Sequence, residues 1–201
     1  MSSAVTVDVE LLRSEIEKTY TEVSTEPDKD FIFPTGRAWA QDLGYPEPEL
    51  SRLPDDTVES FAGVANPFLL GRIEPGMTVL DLGCGAGTDL LVAAQMAGAD
   101  GRVIGVDMTR SMLERARASA RVMGIANAEL HESLIESLPL ADASIDIVIS
   151  NGVIDLVPDK EAVFAEIDRV LRPGGRLQIA DVVIHTEVSA DARDRIDLWT
   201  G

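Results

Sequence analysis

Residues 79–88 read Val-Leu-Asp-Leu-Gly-Cys-Gly-Ala-Gly-Thr, and this stretch determines the fold class of the 201-residue sequence. An apolar run typical of a buried strand includes a carboxylate, Asp81, and passes directly into alternate glycines. Glycines let the backbone turn tightly and approach a ligand closely before a helix that begins at about Thr88. The stretch therefore predicts a strand, a ligand-binding loop and a helix, with the loop formed around Gly83, Gly85 and Gly87.

Two acidic residues at strand ends narrow the class of ligand. Asp81 would repel the phosphates that a helix N-terminus favours, and it would attract an ammonium or sulfonium group. A second apolar strand, residues 102–107, ends in Asp107 about 20 residues after the loop. At this distance a nucleoside-binding unit has an acidic residue that accepts hydrogen bonds from the ribose hydroxyls. The dinucleotide fingerprint has its third glycine at the position of Thr88, so a nicotinamide or flavin dinucleotide fits poorly. A cationic nucleoside is favoured over the alternative, a structural turn with solvated carboxylates.

Several segments carry a family resemblance. Residues 79–87, 103–107 and 171–177 together resemble the class I S-adenosylmethionine-dependent methyltransferases. Within that superfamily the chain is most similar to the arsenite methyltransferase group, through residues 63–67, 101–109, 138–146, 148–156 and 158–160. The resemblance implies S-adenosylmethionine as cofactor and a small molecule as methyl acceptor.

The periodicity of the chain predicts one α/β domain after an N-terminal extension. Apolar strands near residues 78–82, 102–107, 128–132, 145–150 and 176–183 alternate with helices, which indicates a Rossmann-like, doubly wound parallel sheet. Right-handed crossovers give the strand order 3-2-1-4-5. We assign residues 1–60 to the extension. It comprises an amphipathic helix over about residues 1–25, a proline-rich loop over residues 26–57 with at most short turns, and a helix start within residues 53–60. Residues 61–201 form the S-adenosylmethionine-binding domain.

The C-terminal part of the chain carries three further expectations. A helix should run from Asp159 to Leu171, and the Pro173-Gly-Gly segment should end it before the fifth strand. The resemblance implies a fifth helix followed by two more strands. The sequence ends within or just past that helix, so the two strands are missing from it. Either the chain is a fragment, or the fifth strand is an exposed edge that a second copy could cover as a homodimer.

Composition excludes several classes of partner. Seventeen basic residues against 35 acidic ones give a net charge of −18, which repels nucleic acids and anionic lipid surfaces. No apolar run approaches the ~20 residues of a membrane span, and the N-terminus lacks the pattern of a secretion signal, so we expect a cytoplasmic protein. One cysteine, Cys84, cannot form an intrachain disulfide or a multi-thiolate site, and we predict no bound metal.

The resemblance assigns cofactor contacts residue by residue. Asp81 and the loop amides would hold the amino-acid end of the cofactor, with the loop contributed by Gly83, Cys84, Gly85 and Gly87. Asp107 would bind the ribose, and Met108 would stack on the adenine. Leu134 and Ile135 would cap the adenine, or would simply pack at a strand end.

Three further positions complete the predicted site. Ser150 and Asn151 end the fourth strand, where the superfamily places residues beside the methyl group. Asn151 either bonds the amino-acid moiety or substrate, or it structures a loop. Asn66 matches a position near the cofactor carboxylate. Methyl transfer from a sulfonium mainly needs alignment of the nucleophile, so no catalytic residue is assigned.

The arsenic chemistry of the subgroup does not fit these residues. Trivalent arsenic is a soft centre that several thiolates capture. In this chain Val64 and Gly152 stand at two of the family's thiol positions, and the third lies beyond the last residue. We therefore expect an arsenite-methyltransferase-like enzyme that acts on a different small molecule. The alternative is a non-catalytic protein of this fold that binds S-adenosylmethionine or a partner.

Overall fold

A parallel five-stranded sheet forms the centre of the computed structural model, which describes residues 8–26, 29, 31–183 and 185. The strands are β1 (Thr78–Leu82), β2 (Arg102–Asp107), β3 (Ala128–Glu132), β4 (Ile145–Asn151) and β5 (Leu171–Ala180). Their order is 3-2-1-4-5, with every neighbouring pair parallel. The predicted fold class and strand order are confirmed.

The two faces of the sheet are covered by separate apolar layers. On one face Leu80 and Val148 belong to a cluster that includes Val163 and Ile167 of helix α7 (Lys160–Val170). On the other face Val79 and Ile147 pack with residues of helix α5 (Thr88–Ala97). Because both faces are buried, β1 and β4 are almost continuously apolar, as in other parallel sheets with helices on both sides.

The N-terminal extension is more helical than its prolines predict. Helix α1 is confirmed over Val9–Thr25, and the part predicted at residues 1–7 lies outside the described residues. Two short helices follow where we expected a loop, α2 (Gly36–Asp42) and α3 (Glu47–Leu50). A third, α4 (Asp55–Val58), begins where the sequence predicts a helix start, with Pro54 as its N-cap. The loop prediction was wrong at α3 because N–H groups of the first helical turn have no partner inside the helix. The missing N–H groups of Pro46 and Pro48 therefore cost nothing at its start.

The extension packs on the sheet domain through its apolar side chains. Tyr45, Leu50 and Val58 join a buried cluster with Leu91 and Val92 of α5. A 3-10 helix, Pro67–Leu69, then leads to β1. The division at residue 60 stays a prediction, since the two parts share this cluster.

The junction between α7 and β5 differs from the prediction. Helix α7 begins after Asp159, whose carboxylate accepts a hydrogen bond from the amide of Ala162 as an N-cap (3.0 Å). It ends at Val170, and Leu171 is already extended and pairs with Ile145. The next pair is Ile147 with Arg176, so residues 172–175 form an irregularity inside β5 and do not stop the helix. The strand ends at Ala180, and the predicted fifth helix lies outside the described residues.

The remaining helix of the domain is α6 (Arg110–Val122). Among the described residues, β3 and β5 each have a strand neighbour on one side only. The second copy expected at the edge of β5 stays a prediction. No helix in this described part of the chain is both long and apolar enough to cross a membrane.

Candidate functional site

A cleft opens at the carboxyl ends of β1, β2 and β4. Its volume is about 1010 Å³, including the open space at its mouth. The loop after β1, the segment after β3, the segment after β4 and helix α1 form its walls. In doubly wound sheets ligands bind at this edge, where the strand order reverses. The cleft therefore coincides with the place where the sequence predicts its site.

Nine of the twelve predicted site residues line this cleft. Each of them comes from the end of a strand or from the loop that follows one. They are Asp81, Gly83, Cys84, Gly85, Asp107, Met108, Leu134, Ile135 and Asn151. The topology thus brings together residues that are up to 70 positions apart in the chain.

Asp107 connects the end of β2 to the glycine loop. Its Oδ2 accepts a hydrogen bond from the amide of Gly85 (2.9 Å), and its Oδ1 accepts one from the amide of Thr109 (2.7 Å). Burial raises the pKa of the Asp107 carboxyl, although the amides of Thr109 and Gly85 act in the opposite direction. Each carboxylate oxygen has two lone pairs, so Asp107 can still accept hydrogen bonds from a pair of hydroxyls.

Three other loop amides also donate hydrogen bonds within the fold. The amides of Gly83 and Cys84 both donate to the carbonyl of Val106 (2.8 and 3.1 Å), and that of Gly87 donates to the carbonyl of Cys84 (2.9 Å). We expected the amides around Gly83 and Gly85 to hold the amino-acid end of a ligand. That expectation stays a prediction, although the amides of Gly83, Cys84, Gly85 and Gly87 have partners within the fold.

Asp81 is the most exceptional carboxylate of the cleft. Its side chain is 2% exposed, and Oδ2 has no hydrogen-bond partner among the described residues. Burial raises the pKa of Asp81 well above its usual value, and the carboxylates of Asp89 and Asp107 raise it further. A buried polar atom without a partner is rare in folded proteins, so this oxygen favours a ligand that carries a positive charge.

Asp89 and Tyr45 are site residues that the sequence analysis missed. Asp89 lies in the first turn of α5, lines the cleft and accepts a hydrogen bond from the Tyr45 hydroxyl (2.5 Å). The Asn151 amide donates to both of them, to Asp89 at 3.0 Å and to the Tyr45 oxygen at 2.9 Å. The available signal for Asp89 was an acidic residue just after the glycine loop. We did not assign it to the site because the helix dipole also favours an acidic residue in the first turn of a helix.

Asn151 structures a loop, which was one of its two predicted roles. Its Oδ1 accepts hydrogen bonds from the amides of Val64 (2.8 Å) and Ala65 (3.2 Å), while Nδ2 also donates to the carbonyl of Ala65 (2.9 Å). The side chain therefore connects the end of β4 to the segment before β1. Its contact with a ligand stays a prediction.

Three predicted site residues lie outside the cleft lining. Asn66 caps the 3-10 helix by accepting from the amide of Phe68 (3.0 Å) and donates to the carbonyl of Gly44 (2.7 Å). Ser150 is fully buried inside the sheet, where β4 pairs with β1 and β5. Gly87 lies against Ala116 of α6. Motif position predicts that these residues lie near the site, and their contact with a cofactor stays a prediction.

Apolar side chains and helix α1 enclose the remaining walls. Met108 packs beside Leu12, Ile16 and Leu156. Arg13 on α1 forms an ion pair with Glu136 across the cleft (3.0 Å). Leu134 is partly buried, and Ile135 belongs to the main apolar cluster. Both residues also line the cleft, so this segment packs on the core and forms part of the cleft wall.

The single thiol has a structural environment. Cys84 is buried against β2, where a Cβ on Gly105 would lie 2.7 Å from the Cys84 sulfur. Burial raises the pKa of the Cys84 thiol well above its usual value, which makes it unreactive. Within the described ranges, no three side chains of His, Cys, Asp or Glu are grouped as a metal site requires.

Val64 and Gly152 are neighbours at the mouth of the cleft. A Cβ placed on Gly152 would lie 3.1 Å from Cγ1 of Val64. These are the two positions that the family resemblance matches to thiols. Neither position carries a thiol, and both Gly152 and Gly63, which precedes Val64, line the cleft.

A carboxyl pair beside the cleft predicts a pH-dependent stability. Burial, and a hydrogen bond with Asp181, raise the pKa of Asp155 to about 7. Because this folded-state pKa exceeds the ordinary value of about 3.9, the protonated form stabilises the fold fully below pH ~4, and that contribution is lost as the pH rises through about 7. We expect the free energy of unfolding to fall between pH 5 and pH 8, and Asp155→Asn to reduce this fall.

Denaturant unfolding of both proteins at several pH values measures this difference. Asp159→Asn is the matched control, since it removes an exposed carboxylate and keeps an N-cap acceptor. Parallel pH profiles for the wild type and Asp155→Asn would contradict the assignment.

Comparison with known proteins identifies clear relatives. A family model described as a methyltransferase domain matches residues 73–200. An arsenite methyltransferase of Halobacterium salinarum is 42% identical over 167 residues, which cover 83% of this chain and 42% of that protein. Another, from Aquipseudomonas alcaligenes, is 44% identical over 138 residues, covering 65% of this chain and 39% of that protein.

A solved structure agrees with these sequence relatives. The arsenic(III) S-adenosylmethionine methyltransferase from Chlamydomonas reinhardtii is 41% identical and superposes with a TM-score of 0.63. The match covers 67% of this chain and 48% of that one. The chain thus spans less than half the length of each of these three relatives.

Proposed function

The chain belongs to the class I S-adenosylmethionine-dependent methyltransferases, close to the arsenite methyltransferases, and we propose that it methylates a small molecule other than thiol-bound arsenic(III). The observation that carries the proposal is the cleft itself, in which the buried Oδ2 of Asp81 has no partner among the described residues and a second carboxylate, Asp107, ends β2. These groups suit a nucleoside that carries both positive charge and ribose hydroxyls.

Different residues of the cleft bind different parts of the proposed cofactor. Asp107 accepts hydrogen bonds from the ribose hydroxyls, and Asp81 faces the charged amino group. Met108, Leu134 and Ile135 bury the adenine. When bound, S-adenosylmethionine supplies a methyl group on a sulfonium that is already an activated leaving group. The chain's part is therefore to orient the reactants and exclude water, for which the apolar walls from α1 and from the segment after β4 are suited.

The acceptor proposal rests on the missing thiols. Arsenic(III) binding needs several thiolates close together. Val64 and Gly152, which carry no thiol, are neighbours at the two matching positions, and Cys84 is buried in the loop. An acceptor site with this lining favours a molecule bound by shape and hydrogen bonds.

We also infer that the protein acts in the cytoplasm and has no nucleic-acid partner. A net charge of −18 repels phosphate groups and supports the second statement. A homodimer through the edge of β5 remains part of the proposal, because that strand pairs on one side only within the described residues.

Isotope labelling tests the proposed function. We expect methyl-labelled S-adenosylmethionine, mixed with the protein and a protein-free metabolite extract, to give a labelled organic product. Addition of arsenite with thiols should give no labelled methylarsenic. Asp107→Ala serves as the control with a damaged cofactor site.

The other outcomes separate the competing functions. Labelled methylarsenic would overturn the acceptor proposal. Calorimetric binding of S-adenosylmethionine without any labelled product would favour the alternative, a non-catalytic binding protein. Absence of binding to both S-adenosylmethionine and S-adenosylhomocysteine would reject the cofactor site.

A further inference from the structure

Two buried carboxylates line the same end of the cleft. Asp81, in β1, and Asp89, in the first turn of α5, are 2% and 7% exposed, and the glycine loop between them folds back so that both reach the cleft. Arg13 is the single basic side chain among the described lining residues, and it pairs with Glu136. This end of the cleft therefore holds two acidic groups without a protein cation to balance them.

The helix dipole by itself does not explain the position of Asp89. Acidic residues in the first turn of a helix are stabilising by a few tenths of a kcal/mol to about 1 kcal/mol at exposed positions. Asp89 is buried instead, and two donors from distant parts of the chain, Tyr45 and Asn151, hold its two oxygens. Both donors are neutral, so they fix the orientation of the carboxylate without neutralising its charge.

We propose that Asp89 is a second carboxylate for the α-ammonium group of the cofactor, acting with Asp81, and that Tyr45 and Asn151 are positioning residues that aim it. The inference rests on the proposed function and assigns a role to three side chains within it. An ammonium group has three donors, which two carboxylates that retain free lone pairs can satisfy. The unpartnered Oδ2 of Asp81 is the independent observation that a donor is needed here.

The electrostatics of the pair agree with a cationic ligand. Burial raises the pKa of Asp89 to about 6 despite the hydrogen bonds from Tyr45 and Asn151. Burial also raises the pKa of Asp81, which the charges of Asp89 and Asp107 raise further. The charged or titratable groups that face Asp89 are thus Asp81 and the Tyr45 hydroxyl. An ammonium group between the two carboxylates stabilises their charged forms, so its binding releases a proton held by the free protein.

Calorimetry with two ligands tests the assignment. S-Adenosylhomocysteine carries the amino acid, whereas 5′-methylthioadenosine has the same nucleoside and thioether without it. We expect Asp89→Asn to lower the affinity for S-adenosylhomocysteine roughly tenfold, the effect of about 1.4 kcal/mol, and to leave the affinity for 5′-methylthioadenosine unchanged. Asp107→Ala is the matched control and should weaken both ligands.

Two further readouts separate positioning from folding. Measurements at pH 6 in buffers of different ionisation enthalpy should show proton release when the wild type binds S-adenosylhomocysteine, and less release in Asp89→Asn. Tyr45→Phe keeps the carboxylate and removes one donor, so it should give a smaller selective loss, roughly threefold. This second variant also carries the test should Asp89→Asn fail to fold.

The outcomes are distinguishable from failure of the proposed function. Equal losses for both ligands in Asp89→Asn, or unchanged affinity for S-adenosylhomocysteine, would overturn the role of Asp89 while leaving the methyltransferase proposal intact. If the wild type binds neither ligand, the proposed function itself fails.

Discussion

Asp107→Ala is expected to lower the affinity for S-adenosylhomocysteine by roughly 10- to 150-fold, which corresponds to about 1.5–3 kcal/mol for lost hydrogen bonds to a charged group. The carboxylate is the acceptor proposed for the ribose hydroxyls. It also holds the amides of Gly85 and Thr109 and so positions the glycine loop. Its removal therefore takes away a ligand contact and one support of the loop.

Titration calorimetry measures this loss, and a neighbouring carboxylate provides the control. Glu132 ends β3 beside Asp107 in the strand register, is exposed, and does not line the cleft. Glu132→Ala should bind S-adenosylhomocysteine like the wild type. Unchanged affinity in Asp107→Ala would remove Asp107 from the proposed site.

Gly83→Ala is expected to lower the free energy of unfolding by about 2–5 kcal/mol, the sum of overpacking and a left-handed backbone. Gly83 has φ +65°, which side chains with a Cβ rarely adopt. A Cβ at this position would also lie 2.6 Å from Cγ2 of Val153, in the segment that follows β4. The substitution therefore combines backbone strain with a clash across the floor of the cleft.

A second glycine separates these two causes. Gly124 has φ +66°, almost the same conformation, but nothing lies within 4 Å of the position that its Cβ would take. Gly124→Ala should cost only the backbone term, about 1–2 kcal/mol. Denaturant unfolding compares the two variants, and Val153→Ala should recover part of the loss in Gly83→Ala. Equal losses at Gly83 and Gly124 would show that the contact with Val153 is not a cause.

The parts of the fold that local pattern controls were predictable. Strands β1, β2 and β4 are short, mostly apolar runs that end at polar residues or before a glycine. The strand order follows from general rules of crossover handedness. The helix start at Asp159 was predicted for the same reason, because the N-cap that forms there depends on only three or four neighbouring residues. The irregularity in β5 was not predicted. Residues 172–175 are left unpaired by the way β5 pairs with β4, and the Pro-Gly-Gly sequence does not itself specify that pairing.

Site residues could be predicted from sequence where they lie at the end of a strand. They could not be predicted where tertiary packing determines the direction of the side chain. Asp81 and Asp107 occupy the cleft because each lies at or near the end of a parallel strand. The contact between Tyr45 and Asp89 joins residues 44 positions apart, and one of them lies in a segment we expected to be irregular. Ser150 has the right place in the chain, yet it is enclosed by the sheet. Side-chain direction at such positions is a tertiary property.

The side chain of Asn151 makes the floor of the cleft a single thermodynamic unit. One amide group binds the segment of Val64 and Ala65, on the proposed acceptor side, and also Asp89 and Tyr45, on the proposed cofactor side. Residues that share one hydrogen-bond network typically have coupling energies of about 0.5–3 kcal/mol, so the effects of substitutions here will not add. Changes of acceptor preference made around Val64 will consequently alter cofactor affinity, and the two properties can be selected only together.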